Sequence, residues 1–355
     1  MSQFRSGVTT TRPVPSRRLP RRRRPLGSAW QQSFLEAGPP DVSVCIANWN
    51  CRDLLRTCLE SLHDQPQGVR LETIVVDNGS TDGAADMVAR EFPEVILLRQ
   101  PVNRGFAWAC NRAAERAHGR YLLFLNNDTV VPPGTLWQLV EFLETHPGVG
   151  LVGPQLRGTD GTPQVSYRHR PSLAVLLHRT ALFRWLGLFR RPYRRYRRAF
   201  DPHTVRAVDV LMGAALLMPQ HVFYEAGGWD EDFTFGGEDI DLSLRIGERY
   251  AVVYHPGVAV IHHGRVSSRA NVGYSTMHIA AGFARCLRKS GCAGPGVWLY
   301  KLAVTLDAPL QLLEKGLQYL WRRCRGQAAR AEKSRLAVRG LAHFLRRGLA
   351  ELWRV

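Results

Sequence analysis

The sequence predicts a doubly wound, mostly parallel α/β sheet domain, and three features lead there. Short apolar runs alternate with stretches of helical periodicity between Val42 and Leu125, the order of a parallel sheet wound with crossover helices. Four of those runs are followed by Asn and Asp rather than by hydrophobic residues, and in open parallel sheets ligands collect at the carboxyl ends of the strands. The chain has 355 residues, 45% of them hydrophobic, enough for one large core with appendages.

Taken in order, residues 1–40 are rich in Arg, Pro and Ser, poor in apolar residues, and read as a disordered tail. VSVCIA from Val42 reads as a buried strand, after which Leu55, Cys58, Leu59 and Leu62 fall at helical spacing. Then come a strand at Thr73 to Val76, a helix near Gly83 to Phe92, a strand at Val95 to Leu98, a helix near Phe106 to Ala117 and a strand at Tyr121 to Leu125. A helix near Gly134 to His146 and a short strand at Gly150 to Val152 lead to an Arg-rich insert at 168–206. The apolar run Val210 to Met218 resumes the fold. A Gly-rich acidic loop from Gly227 to Asp239 follows, then a helix near Ile240 to Glu248 and strands ending at His262 and His263. This divides the chain into the N-terminal tail, a body at 41–268 that contains the insert, and a basic helical region at 269–355.

Charge is distributed unevenly. The formal total is +18, but residues 1–40 carry +7, residues 168–206 carry +10 and residues 285–355 carry +11, which leaves −10 for the rest. An acidic body with three basic attachments suits an anionic partner, a phospholipid leaflet or a nucleic acid. The nucleic-acid reading is the weaker one, because the arginines lack the interleaved aromatics of a single-strand binder and the acidic residues would go unexplained. Near the C-terminus, Val338, Leu341, Leu345, Leu349 and Leu352 share one helical face and Arg335, Arg339 and Arg346 another. That pattern fits either a helix lying in a membrane interface or one packed on the domain. The insert's Leu173, Leu176, Leu177, Phe183, Trp185 and Leu186, beside six arginines from Arg190 to Arg198, favour the membrane. Seven cysteines form no C-x-x-C pair and read as reduced. No secretory leader is visible, and Val297 to Leu313 is interrupted by Lys301, Asp307 and Pro309, so no membrane span is expected. These readings point to a cytoplasmic protein held peripherally at the inner face of the plasma membrane.

The site expected at the strand ends comprises Asn48 and Asn50 after the first strand, Asp77, Asn78 and Asp82 after the second, Asn103 and Arg104 after the third, and Asn126, Asn127 and Asp128 after the fourth. Asn and Asp are ordinary turn residues, but four such turns in register favour a site. Asp128 is the natural ligand for a divalent cation; taken alone, it also reads as a turn residue before Pro132 and Pro133.

Five segments together resemble a known group: VSVCIANWN at 42–50, VVDNGSTDG at 75–83, NRGFAWACN at 103–111, YLLFLNNDTVV at 121–131, and the run from VLMGAALLMP through GGWDEDFTFGGEDIDLSLR. They resemble the inverting family 2 glycosyltransferases with the A-type nucleotide-sugar fold, in particular the bacterial rhamnosyltransferase-like branch, over roughly residues 42–268. The resemblance implies sugar transfer from a nucleoside diphosphate donor to a lipid-linked or polysaccharide acceptor. dTDP-rhamnose is the nearest donor, with UDP- or GDP-sugars as alternatives. It places Asp77 and Asn50 on the base and ribose, lets Asn103 and Gly105 bring the backbone to the donor, and sets Asn48, Asn78 and Asn127 around it. Asp128 matches the last aspartate of the family's D-x-D motif, which binds Mg²⁺ or Mn²⁺; Asn126 stands where the first is expected. His262 or His263 would complete the metal site.

Inversion requires a base, and Asp239 matches the family's base, with Glu238 beside it so that mutual repulsion raises one pKa. Both acids also fit a plain helix N-terminus. Trp229 and Phe235 are the expected acceptor contacts, core packing being the alternative for Phe233 and Phe235. Two rival readings are a degenerate, non-catalytic transferase fold and a sugar-nucleotide pyrophosphorylase. The latter would need a Gly-rich basic loop after the first strand, where this chain reads NWNCRD.

Overall fold

The computed structural model describes residues 40–65, 68–198, 200–264 and 272–355, with Gly38–Val355 forming one compact unit. The disorder expected of the N-terminal tail concerns residues outside this set. The first half runs β1 (Val42–Asn48), α1 (Arg52–His63), β2 (Leu71–Asn78), α2 (Ala84–Glu91), β3 (Ile96–Gln100), α3 (Phe106–Ala114), β4 (Tyr121–Leu125), β5 (Thr129–Val130), α4 (Thr135–Thr145) and β6 (Val149–Arg157). The insert contributes β7 (Tyr167–Arg168), α5 (Leu173–His178), α6 (Ala181–Trp185), α7 (Arg190–Arg198) and β8 (Arg206–Ala207). Then follow β9 (Val210–Leu211), β10 (Ala215–Pro219), α8 (Gln220–Glu225), α9 (Glu238–Ile246) and β11 (Ala251–His262). The chain closes with α10 (Val272–Lys289), α11 (Gly294–Cys324), α12 (Ala328–His343), a π-helical turn and α13 (Leu349–Arg354).

The main sheet has the order β3-β2-β1-β4-β10-β6-β11-β5, with β8 paired on β11. Strands β1 to β4 are mutually parallel and β11 is parallel to β6, while β10 runs antiparallel between β4 and β6. The mostly parallel, doubly wound expectation is therefore met. Alternation along β1 sends Val42, Val44 and Ile46 to one core and Cys45 to the other. The first core is roofed by α1, α2 and α4, and the second by α3, α8 and α9. Leu55, Cys58, Leu59 and Leu62 are buried as their spacing predicts, each leucine contributing about 2 kcal/mol.

Two apolar stretches are shaped by tertiary contact. The apolar run at 210–218 forms two strands, breaking between β9 and β10 at Met212, Gly213 and Ala214. There the backbone turns to meet the loops, Met212 N–H donating to Ser166 O and Asn126 N–H to Ala214 O. The apolar face near the C-terminus is not free for a membrane. Leu352 is fully buried, and Leu345 and Leu349 pack with it against Ala281, Ala284, Leu287 and Tyr300 of α10 and α11. Within the insert, Leu176 and Leu177 are likewise buried. All seven cysteines are free thiols, five of them buried.

Candidate active site

A cavity of about 550 Å³ opens where the strand ends meet the loops after β4, β9 and β11 and the start of α10. It gathers Asn48, Asn78, Asn103, Gly105, Asn127, Asp128, Phe235, Glu238, Asp239, His262 and His263, and adds Trp49, Asn126, Gln164, Arg168, Gly213 and Tyr274. Asp77 and Asn50 are not among its lining residues.

The polar floor is built by mutual hydrogen bonding. Asn48 Nδ2 donates to Asp77 Oδ1 at 3.0 Å, and Asn127 Nδ2 donates to Asn48 Oδ1 at 2.7 Å. Asp77 Oδ2 accepts from Ser80 N–H at 3.1 Å, so this buried carboxylate ties the ends of β1 and β2 together beneath the cavity. Asn50 sits beside that knot with φ of 49°, its Oδ1 accepting from Thr81 N–H at 2.8 Å; Asn tolerates this left-handed conformation better than most residues. Asn78 bridges to Asn103 Oδ1 at 2.9 Å and to Gly105 O at 3.1 Å. The close approach at Gly105 comes from the protein itself. Its φ is +96°, and a Cβ there would lie 2.9 Å from Thr234 O, in the Gly-rich loop that passes over it.

On one wall, pairing of β5 with β11 aligns Thr129 with His262 and brings Asp128 to the histidine. His262 Nε2 lies 3.4 Å from Asp128 Oδ1, and both side chains are nearly buried. The other ring nitrogen is committed: Gln164 Nε2 donates to His262 O at 2.8 Å, which turns Gln164 Oε1 toward His262 Nδ1 at 2.9 Å. Nδ1 therefore carries the proton in the neutral ring, and the Nε2 lone pair faces a carboxylate oxygen. Two acceptors aimed at one point suit a cation between or beside them. A carboxylate and an imidazole are fitting donors for Mg²⁺ or Mn²⁺, whose remaining positions are commonly filled by substrate phosphates and water. Among the described residues no group of three His, Cys, Asp or Glu side chains could hold a metal alone. His263 reaches this point through its backbone, its N–H donating to Asp128 O at 2.9 Å.

The opposite wall carries the paired acids at the start of α9. Asp239 Oδ1 accepts from Ile240 N–H at 2.9 Å and its Oδ2 from Gly213 N–H at 3.3 Å. Gly213 lies close against the acid, since a Cβ there would meet Asp239 Cβ at 3.3 Å and press on it. Glu238 Oε2, by contrast, is buried without a hydrogen-bond partner. Burial and the neighbouring Asp239 charge push the Glu238 pKa up to about 8. Burial raises Asp239 as well, opposed by the Arg168 guanidinium and by its backbone donors. Asp241 takes a structural part, buried and paired with Arg245 at 2.7 Å and with Lys289.

Aromatic side chains line the same end. Tyr274 stands 5.4 Å from Trp49 and 6.2 Å from Phe235 between ring centroids, and its buried hydroxyl has no partner. Trp229 is elsewhere: 2% exposed, it packs edge-on against Phe106 and Phe124 at 5.4 and 5.2 Å. The expectation that it contacts an acceptor is corrected by this burial, and Phe233 is buried too. Its anchor is Asn111, which donates to Trp229 O and accepts from Trp229 N–H, holding the loop to α3. Sequence reasoning missed Trp49, Gln164, Arg168 and Tyr274. Trp49 lies inside the first of the five motifs, but Gln164 and Arg168 precede or begin an insert with no periodic signal, and Tyr274 follows the last of the matching segments.

Residues 43–210 match the family described as Glycosyl transferase family 2. The N-acetylglucosaminyl-diphospho-decaprenol L-rhamnosyltransferase of Mycobacterium tuberculosis is 32% identical over 208 residues, 54% of this chain and 66% of that protein. The O-antigen biosynthesis protein RfbC of Myxococcus xanthus is 32% identical over 240 residues, 66% of this chain but 18% of the relative. This chain thus spans no more than about two thirds of either relative's length. In fold it is similar to the mannosyltransferase PcManGT of Pyrobaculum calidifontis, with a TM-score of 0.50, 20% identity, and coverage of 92% of this chain and 93% of that one. The five motifs, the strand order and these matches agree: residues 43–210 are a glycosyl transferase family 2 domain.

Proposed function

We propose that the chain transfers a sugar, best supported as rhamnose from dTDP-rhamnose, from a nucleoside diphosphate donor to a lipid-linked glycan acceptor with inversion at the anomeric carbon. One observation carries the reading: a single cavity holds two convergent acceptors, Asp128 and His262, on one wall and paired acids, Glu238 and Asp239, on the other. The donor and acceptor classes are supported by the mycobacterial relative, whose name specifies an L-rhamnosyltransferase acting on a diphospho-decaprenol-linked sugar.

In this reading the floor of Asn48, Asn78, Asn103 and Asn127 receives the donor, with Asp77 and Asn50 fixing the loops that cradle its base and ribose. Asp128 and His262 would hold Mg²⁺ or Mn²⁺, which would supply charge neutralisation for the departing diphosphate. Asp239 is the base. Glu238 holds the proton shared by the pair at neutral pH, which leaves Asp239 ionised and aimed by two backbone N–H groups. Its carboxylate takes the acceptor hydroxyl proton as that oxygen bonds to the anomeric carbon, and the bond to the diphosphate oxygen breaks with its electron pair. Trp49, Phe235 and Tyr274 give the incoming sugar an aromatic wall. Arg168 keeps a positive charge near Asp239, stabilising its ionised form.

The test is transfer from dTDP-rhamnose to a prenyl-diphosphate-linked N-acetylglucosamine, with UDP- and GDP-sugars as parallel donors. Asp239→Asn is expected to abolish turnover, by a factor of about 10² to 10⁴ for a lost general base, while nucleotide affinity is retained. Undiminished turnover in that variant would remove Asp239 from the role.

A further inference from the structure

Helix α11 is built inside out. Between residues 298 and 321 every exposed position is apolar: Trp298, Leu299, Leu302, Leu306, Pro309, Leu310, Leu313, Leu317, Leu320 and Trp321. The leucines are 37–63% exposed, whereas Lys301 and Asp307 of the same stretch turn inward and its other polar residues are half-buried. Lys301 is buried, its ammonium 5.6 Å from the Trp353 ring. Asp307 is buried and accepts the Ala181 and Leu182 N–H groups, capping the start of α6. Glu314 pairs with Arg184 at 3.2 Å. These last contacts seat α6 on α11, and α6 and the loop after it bring further exposed side chains, Trp185 at 59% and Leu186 at 63%. At 31 residues the helix is about 46 Å long, so the apolar stripe far exceeds the scattered surface hydrophobics of an ordinary monomer.

We infer that this face of α11, with α6 beside it, docks the protein on an anionic phospholipid bilayer. Charge complementarity selects that occupant. The five described arginine side chains of α7, Arg190, Arg191, Arg194, Arg195 and Arg197, are exposed immediately after the α6 hydrophobics. Arg322, Arg323 and Arg325 follow the stripe at its C-terminal end. Residues 285–355 hold 15 Lys and Arg against 4 Asp and Glu, a balance that repels a second copy and attracts acidic head groups. Leu299, Leu306, Leu313 and Leu320 recur every seven residues, a seam that pairing helices also use, which makes a second copy the rival outcome. No helix among the described residues is long and apolar enough to cross a membrane, so the face lies on the bilayer. Tryptophans near both ends of the stripe suit the head-group boundary. The inference stands on this surface and not on the transferase reading.

The experiment is cosedimentation of the full chain with vesicles of phosphatidylglycerol and phosphatidylcholine, compared with phosphatidylcholine alone. It is run for wild type, Leu306→Glu/Leu313→Glu and Arg194→Glu/Arg195→Glu. Wild type is expected on the anionic vesicles, with at least tenfold weaker partitioning for the leucine variant and a loss for the arginine variant that vanishes in high salt. Both substitution pairs are on exposed positions, and unchanged far-ultraviolet circular dichroism and thermal midpoint verify that the folded body persists. Quenching of tryptophan fluorescence by spin-labelled lipid, reduced in Trp298→Phe/Trp321→Phe, gives a readout that needs no charged substitution. Absence of vesicle binding by wild type overturns the inference, as does equal binding by the leucine variant. So does a wild-type dimer in sedimentation velocity that becomes monomeric in the leucine variant without any vesicle association.

Discussion

Replacing Glu238 with Gln separates the two acids. In the folded chain burial and the Asp239 charge hold the Glu238 pKa near 8 against an ordinary value of 4.5. A carboxyl raised in this way binds more protons folded than unfolded, so its favourable contribution is full below about 4.5 and is lost as pH rises through 8. Each tenfold change in the acidity constant is worth about 1.4 kcal/mol. The loss is therefore on the order of 3 to 5 kcal/mol across that window, with Asp239, raised in the same direction, acting with it. For a chain of this size about 1 kcal/mol moves the midpoint by roughly 2 °C, so wild type should lose several degrees between pH 5 and about 8.5. Glu238→Gln keeps the shape and removes the titration, and should flatten that slope and melt higher than wild type at the alkaline end. Because the glutamate is assigned the proton and not the base role, the variant should also retain measurable sugar transfer at neutral pH, unlike Asp239→Asn. Thermal denaturation across pH and a turnover assay are the measurements. An unchanged slope together with activity as low as that of Asp239→Asn would refute the division of labour.

Other predictions address the opposite wall and the scaffold. Gln164→Ala removes the hydrogen bond that fixes the His262 tautomer and should weaken Mn²⁺ binding by about 10 to 100-fold, as loss of an outer partner does, read by titration with the nucleotide present. Gly282→Ala should cost the folded state stability and most of the activity, because a Cβ on α10 would overlap Gly236 O in the loop leading to Glu238; thermal midpoint and turnover report the two effects. Trp229→Ala should destabilise the fold by about 3 to 5 kcal/mol as a core truncation, measured by denaturant unfolding. The same variant should retain acceptor KM under conditions where it is folded, because the ring packs on Phe106 and Phe124 and not in the cavity.

The core and the site floor were legible because each rests on a local rule. Leu55, Cys58, Leu59 and Leu62 are spaced for one helical face, and the Asn and Asp residues after β1, β2 and β4 stand where a parallel sheet presents its strand ends. The departures arise where tertiary contact decides. Trp229 has the composition of a stacking residue, yet Asn111, 118 positions away, pulls its backbone onto α3 and drives the ring into the core. The leucines near the C-terminus show the periodicity of an interfacial helix, and the same periodicity serves packing against α10. In α11 the reverse holds. Lys301 and Asp307 made the segment look ordinary, and only their burial beneath Trp353 and α6 reveals that the leucines face outward. Gln164 and Arg168 lie in irregular chain or a two-residue strand, where no pattern marks a residue as facing a site.

The most direct test of the central claim is calorimetric titration of dTDP, UDP and GDP into the purified chain with and without Mn²⁺, repeated on Asp128→Ala and His262→Ala. One nucleoside diphosphate should bind well only with the metal present, and both variants should lose the metal-dependent part while keeping the wild-type thermal midpoint to within a few degrees. Saturation at about 100 times the dissociation constant would add about 2.7 kcal/mol of stability to wild type. Binding that is indifferent to metal and to both substitutions would contradict the assignment of Asp128 and His262. Absence of binding by any of the three nucleotides would contradict the transferase reading itself.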